Sequence, residues 1–142
     1  MNLHEEMILM GEKAVTAGRE LAKLSTKRKN KILEAMADEL LVQKEVIKAA
    51  NAKDLEAGKQ AGLSAAMLDR LELNNDRIDG MAKGLHDVAA LNDPVGTEIS
   101  IWNRPNGLQI KKTRVPIGVI AIIFESRPNV TADAGSLCFK TS

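Results

Sequence analysis

The sequence predicts an α/β fold that is left incomplete, and three observations carry that reading. A stretch rich in Ala, Leu, Lys and Glu, with helical spacing, runs to about Pro94. β-Branched residues and turn signals follow it. One unbroken apolar run, residues 119–124, then leads into a polar loop and a last helical stretch. Helices, then a hairpin, then a strand–loop–helix unit make the opening of an α/β domain. A strand that is apolar on both faces belongs inside a parallel sheet. No later strand is left to pair with it.

The elements follow in order. Leu3, Met7, Met10, Ala14, Ala17, Leu21 and Leu24 recur at steps of four and three, which predicts one core-facing helix stripe. Ser25 or Thr26 caps a second helix by accepting from a free first-turn N–H. Its buried stripe is Ile32, Leu33, Met36, Leu40 and Leu41. Val46, Ile47, Ala50 and Leu55 carry a third helix, continuous with the second or bent from it, and Gly62 ends it. Ser64 caps a short helix with Met67, Leu68 and Leu71 inward. Asn75 caps a fifth, with Ile78, Met81, Leu85 and Val88 as its stripe, and Asp93-Pro94-Val95-Gly96 stops the helical part.

Beyond it, Glu98 to Trp102 alternate as a strand does, and Leu108 to Val115 form the return strand. Asn106-Gly107 between them predicts a type I′ hairpin turn. Pro116-Ile117-Gly118 breaks the ribbon, and residues 119–124 form the buried strand. Residues 130–140 form the last helix, with Val130, Ala134, Leu137 and Cys138 inward.

Composition excludes several function classes. Apolar residues are 44% of 142, enough for a core and too many for a disordered chain. Twenty Lys and Arg against 19 Asp and Glu leave a net charge of +1, without the basic excess of a nucleic-acid binder. Aromatics are 2% with no Tyr, which also argues against base stacking. No apolar run approaches the roughly 20 residues of a membrane span. The acidic N-terminus lacks the basic start of a signal peptide, and the one Cys fits a reducing compartment, so a cytoplasmic location is expected. His4 and His86 stand alone, which predicts no metal site. The basic cluster Lys27-Arg28-Lys29-Asn30-Lys31 is followed by Glu34, Asp38 and Glu39 and reads as a solvated helix face. Cys138, on an inferred apolar face, reads as a packed core cysteine.

The loop after the apolar run is the best site candidate, because ligands of open α/β sheets bind beyond the carboxyl ends of strands. Arg127 offers a cationic fork for phosphate or carboxylate. Asn129 offers an amide donor to a developing oxyanion. Equally, Arg127 can be a solvated side chain and Asn129 a helix N-cap, and spacing alone leaves both readings open. No Gly-rich phosphate cradle is present.

The segment Pro116-Ile-Gly-Val-Ile-Ala-Ile-Ile-Phe-Glu-Ser-Arg-Pro-Asn-Val-Thr131 resembles the signature of the γ-glutamyl phosphate reductase family (glutamate-5-semialdehyde dehydrogenases), within the aldehyde dehydrogenase superfamily. So do Asn51-Ala-Lys-Asp54, Gly62-Leu-Ser-Ala-Ala-Met-Leu-Asp-Arg-Leu71, Asp93-Pro-Val-Gly96 and Ser136-Leu-Cys-Phe-Lys-Thr141. The resemblance implies an oxidoreductase of proline biosynthesis that uses NADPH to reduce L-glutamate 5-phosphate to L-glutamate 5-semialdehyde, releasing phosphate. It implies a cysteine thiolate that attacks the acyl phosphate, in a catalytic domain absent from this chain, so that Cys138 is not the nucleophile. The chain then looks like an N-terminal portion only, inactive alone. Residues 1–96 would be the helical part of the cofactor-binding domain and 97–115 a β-hairpin oligomerisation arm. Residues 116–142 would be the first strand-loop-helix of a Rossmann-like nucleotide-binding domain, with Ser142 where the next strand begins. Phe124 and Glu125 would border the cofactor, Arg127 would bind the substrate's phosphate or carboxylate, and Asn129 would donate to the oxyanion. A homo-oligomer through the hairpin is implied, with glutamate 5-kinase as a candidate partner. The competing readings are another aldehyde dehydrogenase relative with a different acyl substrate, and a truncated, non-catalytic helical interaction module.

Overall fold

The computed structural model describes residues 2–125 and 127–141; Ser126 of the predicted polar loop, and Met1 and Ser142, lie outside the described residues. The elements are α1 (Leu3–Leu21), α2 (Thr26–Val42), α3 (Lys44–Gln60), α4 (Ala65–Leu71), α5 (Asn75–Ala90), β1 (Glu98–Asn103), β2 (Gln109–Thr113) and α6 (Val130–Thr141). The fold is thus mixed: a helical body with a small antiparallel ribbon.

Short polar side chains set the helix starts. Asn2 and Glu5 form a capping box at α1. Ser25 and Ser64 each accept from the N–H three residues on, at 3.3 Å. Asn74, rather than Asn75, caps α5 by accepting from the Arg77 N–H at 2.9 Å. Asn74 is the extended residue (φ −92°, ψ 179°), so Asn75 is already helical. At Gln43 (φ −91°, ψ 12°) the chain bends, so α3 is a separate helix. Gly62 (φ 76°) closes α3 in the left-handed region. There its N–H bonds Lys59 and the Leu63 N–H bonds Gly58, both at 3.0 Å, satisfying two orphan carbonyls.

The core lies between α2 and α5: Leu33 and Ala37 interlock with Ala82, Leu85, Val88 and Ala89, and Leu40 and Phe139 pack against them. The predicted stripe of α5 is buried throughout. That of α2 is wound slightly differently. Leu33 is buried and Ile32 and Leu40 half-buried, but Met36 and Leu41 are exposed, and Lys29 and Ala37 go inward in their place. In α3, Val46 and Ala50 of the expected stripe are exposed as well.

Four expectations are corrected. First, α1 forms but buries no residue; Leu3, Met7 and Met10 are exposed, because no described element covers that face. Second, residues 119–124 are not a buried strand. They join no ladder, Ile123 is fully exposed and the others are exposed to a lesser degree, since the described residues supply no strand to pair with them. Third, the hairpin does not turn on a two-residue Asn106-Gly107 loop. The Arg104 N–H bonds the Leu108 carbonyl at 2.8 Å, and the Gly107 N–H returns to Arg104 at 2.9 Å. The loop is therefore the three residues Pro105-Asn106-Gly107, with Gly107 at φ 84°. Proline favours that geometry by fixing φ at the first loop position. Fourth, α6 packs by a different face from the one expected. Ser136 and Lys140 are buried, whereas Leu137 is exposed and Val130, Ala134 and Cys138 are half-buried.

The buried face of α6 rests on a polar network. Lys29, 1% exposed, pairs with Asp93 Oδ2 at 3.2 Å and donates to the Lys140 carbonyl at 3.2 Å. Lys140, also 1% exposed, donates to the Ala89 carbonyl at 2.9 Å and to Asn30 Oδ1. Asp93 further accepts from Thr26 Oγ1 at 3.1 Å and from the Val95 N–H at 3.0 Å. Three segments distant in sequence, α2, the 93–96 turn and α6, are thereby locked together at the C-terminal end of α6.

Candidate active site

The cleft beside the N-terminus of α6 is built from two walls. Asn51, buried in α3, begins the first. Its amide donates to the Leu71 carbonyl at 2.8 Å and accepts from the Leu73 N–H at 2.7 Å, clamping the α4–α5 connection. Arg77, in the first turn of α5, reaches back over that connection. Its guanidinium bonds Asp69 Oδ1 and the Glu72 carbonyl, each at 2.9 Å, and also the Asp69 carbonyl. Arg77 is therefore spent on structure. The second wall is the start of α6, where Arg127, Asn129 and Asp133 face the first across a cleft of about 450 Å³.

The two walls bring three arginines (Arg70, Arg77, Arg127) and three carboxylates (Asp69, Glu72, Asp133) to one cleft. Arg77 and Asp69 neutralise each other. Arg127 is exposed, and its guanidinium makes no hydrogen bond or ion pair among the described residues, so it is open to an incoming anion. Asn129 is half-buried. Its backbone carbonyl accepts the N–H groups of Ala132 and Asp133 at 3.0 Å, as the residue before a helix does. Its side chain makes no cap among the described residues; the amide nitrogen donates instead to Asp133 Oδ2 at 2.8 Å.

Of the residues expected at the site, the structure unites Arg127 and Asn129 and leaves Phe124 and Glu125 outside their cleft. Both of the latter are exposed, Phe124 by 45%. Cys138 is half-buried rather than packed in the core. It lines a separate apolar depression with Pro94, Val115, Ile117 and Ile120.

No family model matches the chain. Individual proteins do. Over 99% of its length it is 57% identical to a γ-glutamyl phosphate reductase of Moorella thermoacetica and 54% identical to one of Heliobacterium modesticaldum. It resembles the N-terminal portion of γ-glutamyl phosphate reductases. It spans about a third of the length of these relatives, 34% in both cases. The fold agrees. The crystal structure of γ-glutamyl phosphate reductase from Thermotoga maritima superposes with a TM-score of 0.93 at 40% identity, covering 96% of this chain and 33% of that one. The reductase structure from Saccharomyces cerevisiae gives 0.88 at 35%, covering 94% and 34%.

Asp69, Arg77 and Asp133 line the cleft beside the residues the sequence points to. A signal for the last existed. Asn129, Asp133, Ser136 and Lys140 recur at steps of four, three and four, a polar stripe as regular as the apolar one that was preferred. For Arg77 there was none, since its partners Asp69 and Glu72 lie across a helix break.

Proposed function

We propose that this chain is the N-terminal portion of an NADPH-dependent reductase that converts L-glutamate 5-phosphate to L-glutamate 5-semialdehyde and phosphate in proline biosynthesis, in the cytoplasm. The observation that carries the reading is 57% identity to such a reductase across nearly the whole chain. The cleft supports it. Glutamyl phosphate bears two anionic groups, and Arg127 at the cleft edge carries a guanidinium with no ion pair among the described residues, suited to a charge-assisted fork on phosphate or carboxylate. Asn129 has a second amide N–H beyond the one given to Asp133, available where a tetrahedral oxyanion develops.

The cofactor side is only bordered by this chain. The exposed Phe124 ring offers an apolar face to a nicotinamide, with Glu125 next to it, while no Gly-rich loop is present to hold phosphates. When bound, the dinucleotide supplies the hydride. This chain's residues hold and orient the acyl group. In this reading residues 1–96 are the helical support and 97–115 the arm to a second copy. Residues 116–142 are the segment that becomes the first strand-loop-helix of a Rossmann-like domain once further strands pair with residues 119–124. Glutamate 5-kinase is a candidate partner.

The test is steady-state kinetics in a full-length reductase carrying this segment. Arg127→Ala should raise KM roughly ten- to hundredfold with kcat nearly unchanged, because its bond to an anion exists in ground and transition states alike. Asn129→Ala should lower kcat by roughly 10²–10³. A kcat within about threefold of the parent would return Asn129 to the part of a helix-terminal residue.

A further inference from the structure

Two observations at the head of α6 meet on one residue. The Asn129 amide nitrogen is bound to Asp133 Oδ2 at 2.8 Å, and both residues line the cleft that holds Arg127. Asp133 sits one helical turn after Asn129, so its carboxylate reaches back along the same face. The carboxylate lies against the facing helix, where a methyl group at Gly84 of α5 would be in ordinary contact, 3.7 Å from Asp133 Oδ1. An ionised carboxylate only accepts, so it selects the nitrogen end of the carboxamide. The N–H groups of Val130, Thr131 and Ala132 already bond the carbonyls of Arg127, Pro128 and Asn129, which leaves the carboxamide free of the capping part an asparagine at this position otherwise takes.

We propose that Asp133 is a positioning residue: it holds the Asn129 carboxamide nitrogen-first toward the cleft, so that the second N–H is aimed at the reacting carbonyl. This rests on the oxyanion role of Asn129 proposed above. Asp133 touches no reacting atom. Its contribution is that the donor is already oriented when charge develops, which matters because a small misplacement of a donor costs rate steeply.

The experiment compares Asn129→Ala, Asp133→Ala, Asp133→Asn and the Asn129→Ala/Asp133→Ala double variant in the full-length reductase, with glutamyl phosphate and NADPH as substrates. Circular dichroism confirms folding. Asp133→Ala should lower kcat roughly tenfold or more and leave KM within about threefold. Asp133→Asn should restore most of kcat, because its amide oxygen accepts the same bond. In the double variant the loss should equal that of Asn129→Ala alone, since a group that acts only through another adds nothing once the other is gone. A parent-like kcat in Asp133→Ala, beside a crippled Asn129→Ala, would overturn the inference and leave the reading of the site intact. Additive losses, or an Asp133→Asn as slow as Asp133→Ala, would overturn it too. A parent-like Asn129→Ala would instead overturn the reading of the site, and this inference with it.

Discussion

Asp93 shows how single side chains in this molecule do structural work that apolar patterning hides. Burial pushes its carboxyl pKa up, but the Val95 N–H, Lys29 and Thr26 more than offset that, so the pKa lies below its ordinary value. An acid with a depressed native pKa contributes stability in full above its unfolded pKa, and that contribution is lost as pH falls through the native one. The thermal midpoint should therefore drop on acidification below about pH 4. Asp93→Asn should lower the midpoint at neutral pH and flatten that acid limb; an unchanged limb would count against the network. Asp93→Ala, which leaves Lys29 buried without its counter-charge, should cost about 3–5 kcal/mol. Lys140 works in the opposite range. Burial lowers its pKa, Asp93 raises it and Lys29 lowers it, for a net depression. The unfolded chain then holds more protons just below the ordinary value of 10.5, so stability from this group rises with pH there. The sequence did carry a hint of this network: Lys29, Leu33 and Ala37 recur at steps of four, placing a lysine on the stripe that goes inward.

Among the elements, legibility followed the range of the forces involved. Caps and stops depend on neighbours three to five residues away, and Ser25, Ser64 and Gly62 act as their local chemistry dictates. The stripe of α5 was legible because apolar and buried coincide there. In α1 and residues 119–124 they do not coincide, since burial needs a surface that periodicity cannot supply. In α6, two competing stripes are present, and the polar one wins because Lys140 finds Ala89 and Asn30 and Ser136 is buried with its hydroxyl on the Asp133 carbonyl. Within the site, Arg127 and Asn129 were legible from their loop, whereas the opposite wall required folding to bring Arg77 across. The β1–β2 ribbon makes its own prediction. Ile101 and Trp102, neighbours on opposite faces, are both exposed, alongside Ile99 and Leu108. A two-stranded ribbon is marginal alone and gains by pairing with another chain. Replacing Ile101 and Trp102 by Thr should shift the full-length protein to smaller species in sedimentation velocity. An unchanged distribution would count against the arm reading.

Over the whole molecule, α2, α5 and α6 form a frame that the Lys29, Asp93 and Lys140 lock holds together, and residues 119–124 run exposed beside it. In the proposed function this frame presents the substrate edge of a γ-glutamyl phosphate reductase. The most direct measurement grafts these 142 residues onto the remainder of the Thermotoga maritima reductase, in place of the matching portion, and follows NADPH oxidation with glutamyl phosphate. The chimaera should turn over and should lose kcat by roughly 10²–10³ on Asn129→Ala. A chimaera that folds but leaves glutamyl phosphate untouched, or one indifferent to Asn129→Ala, would contradict it.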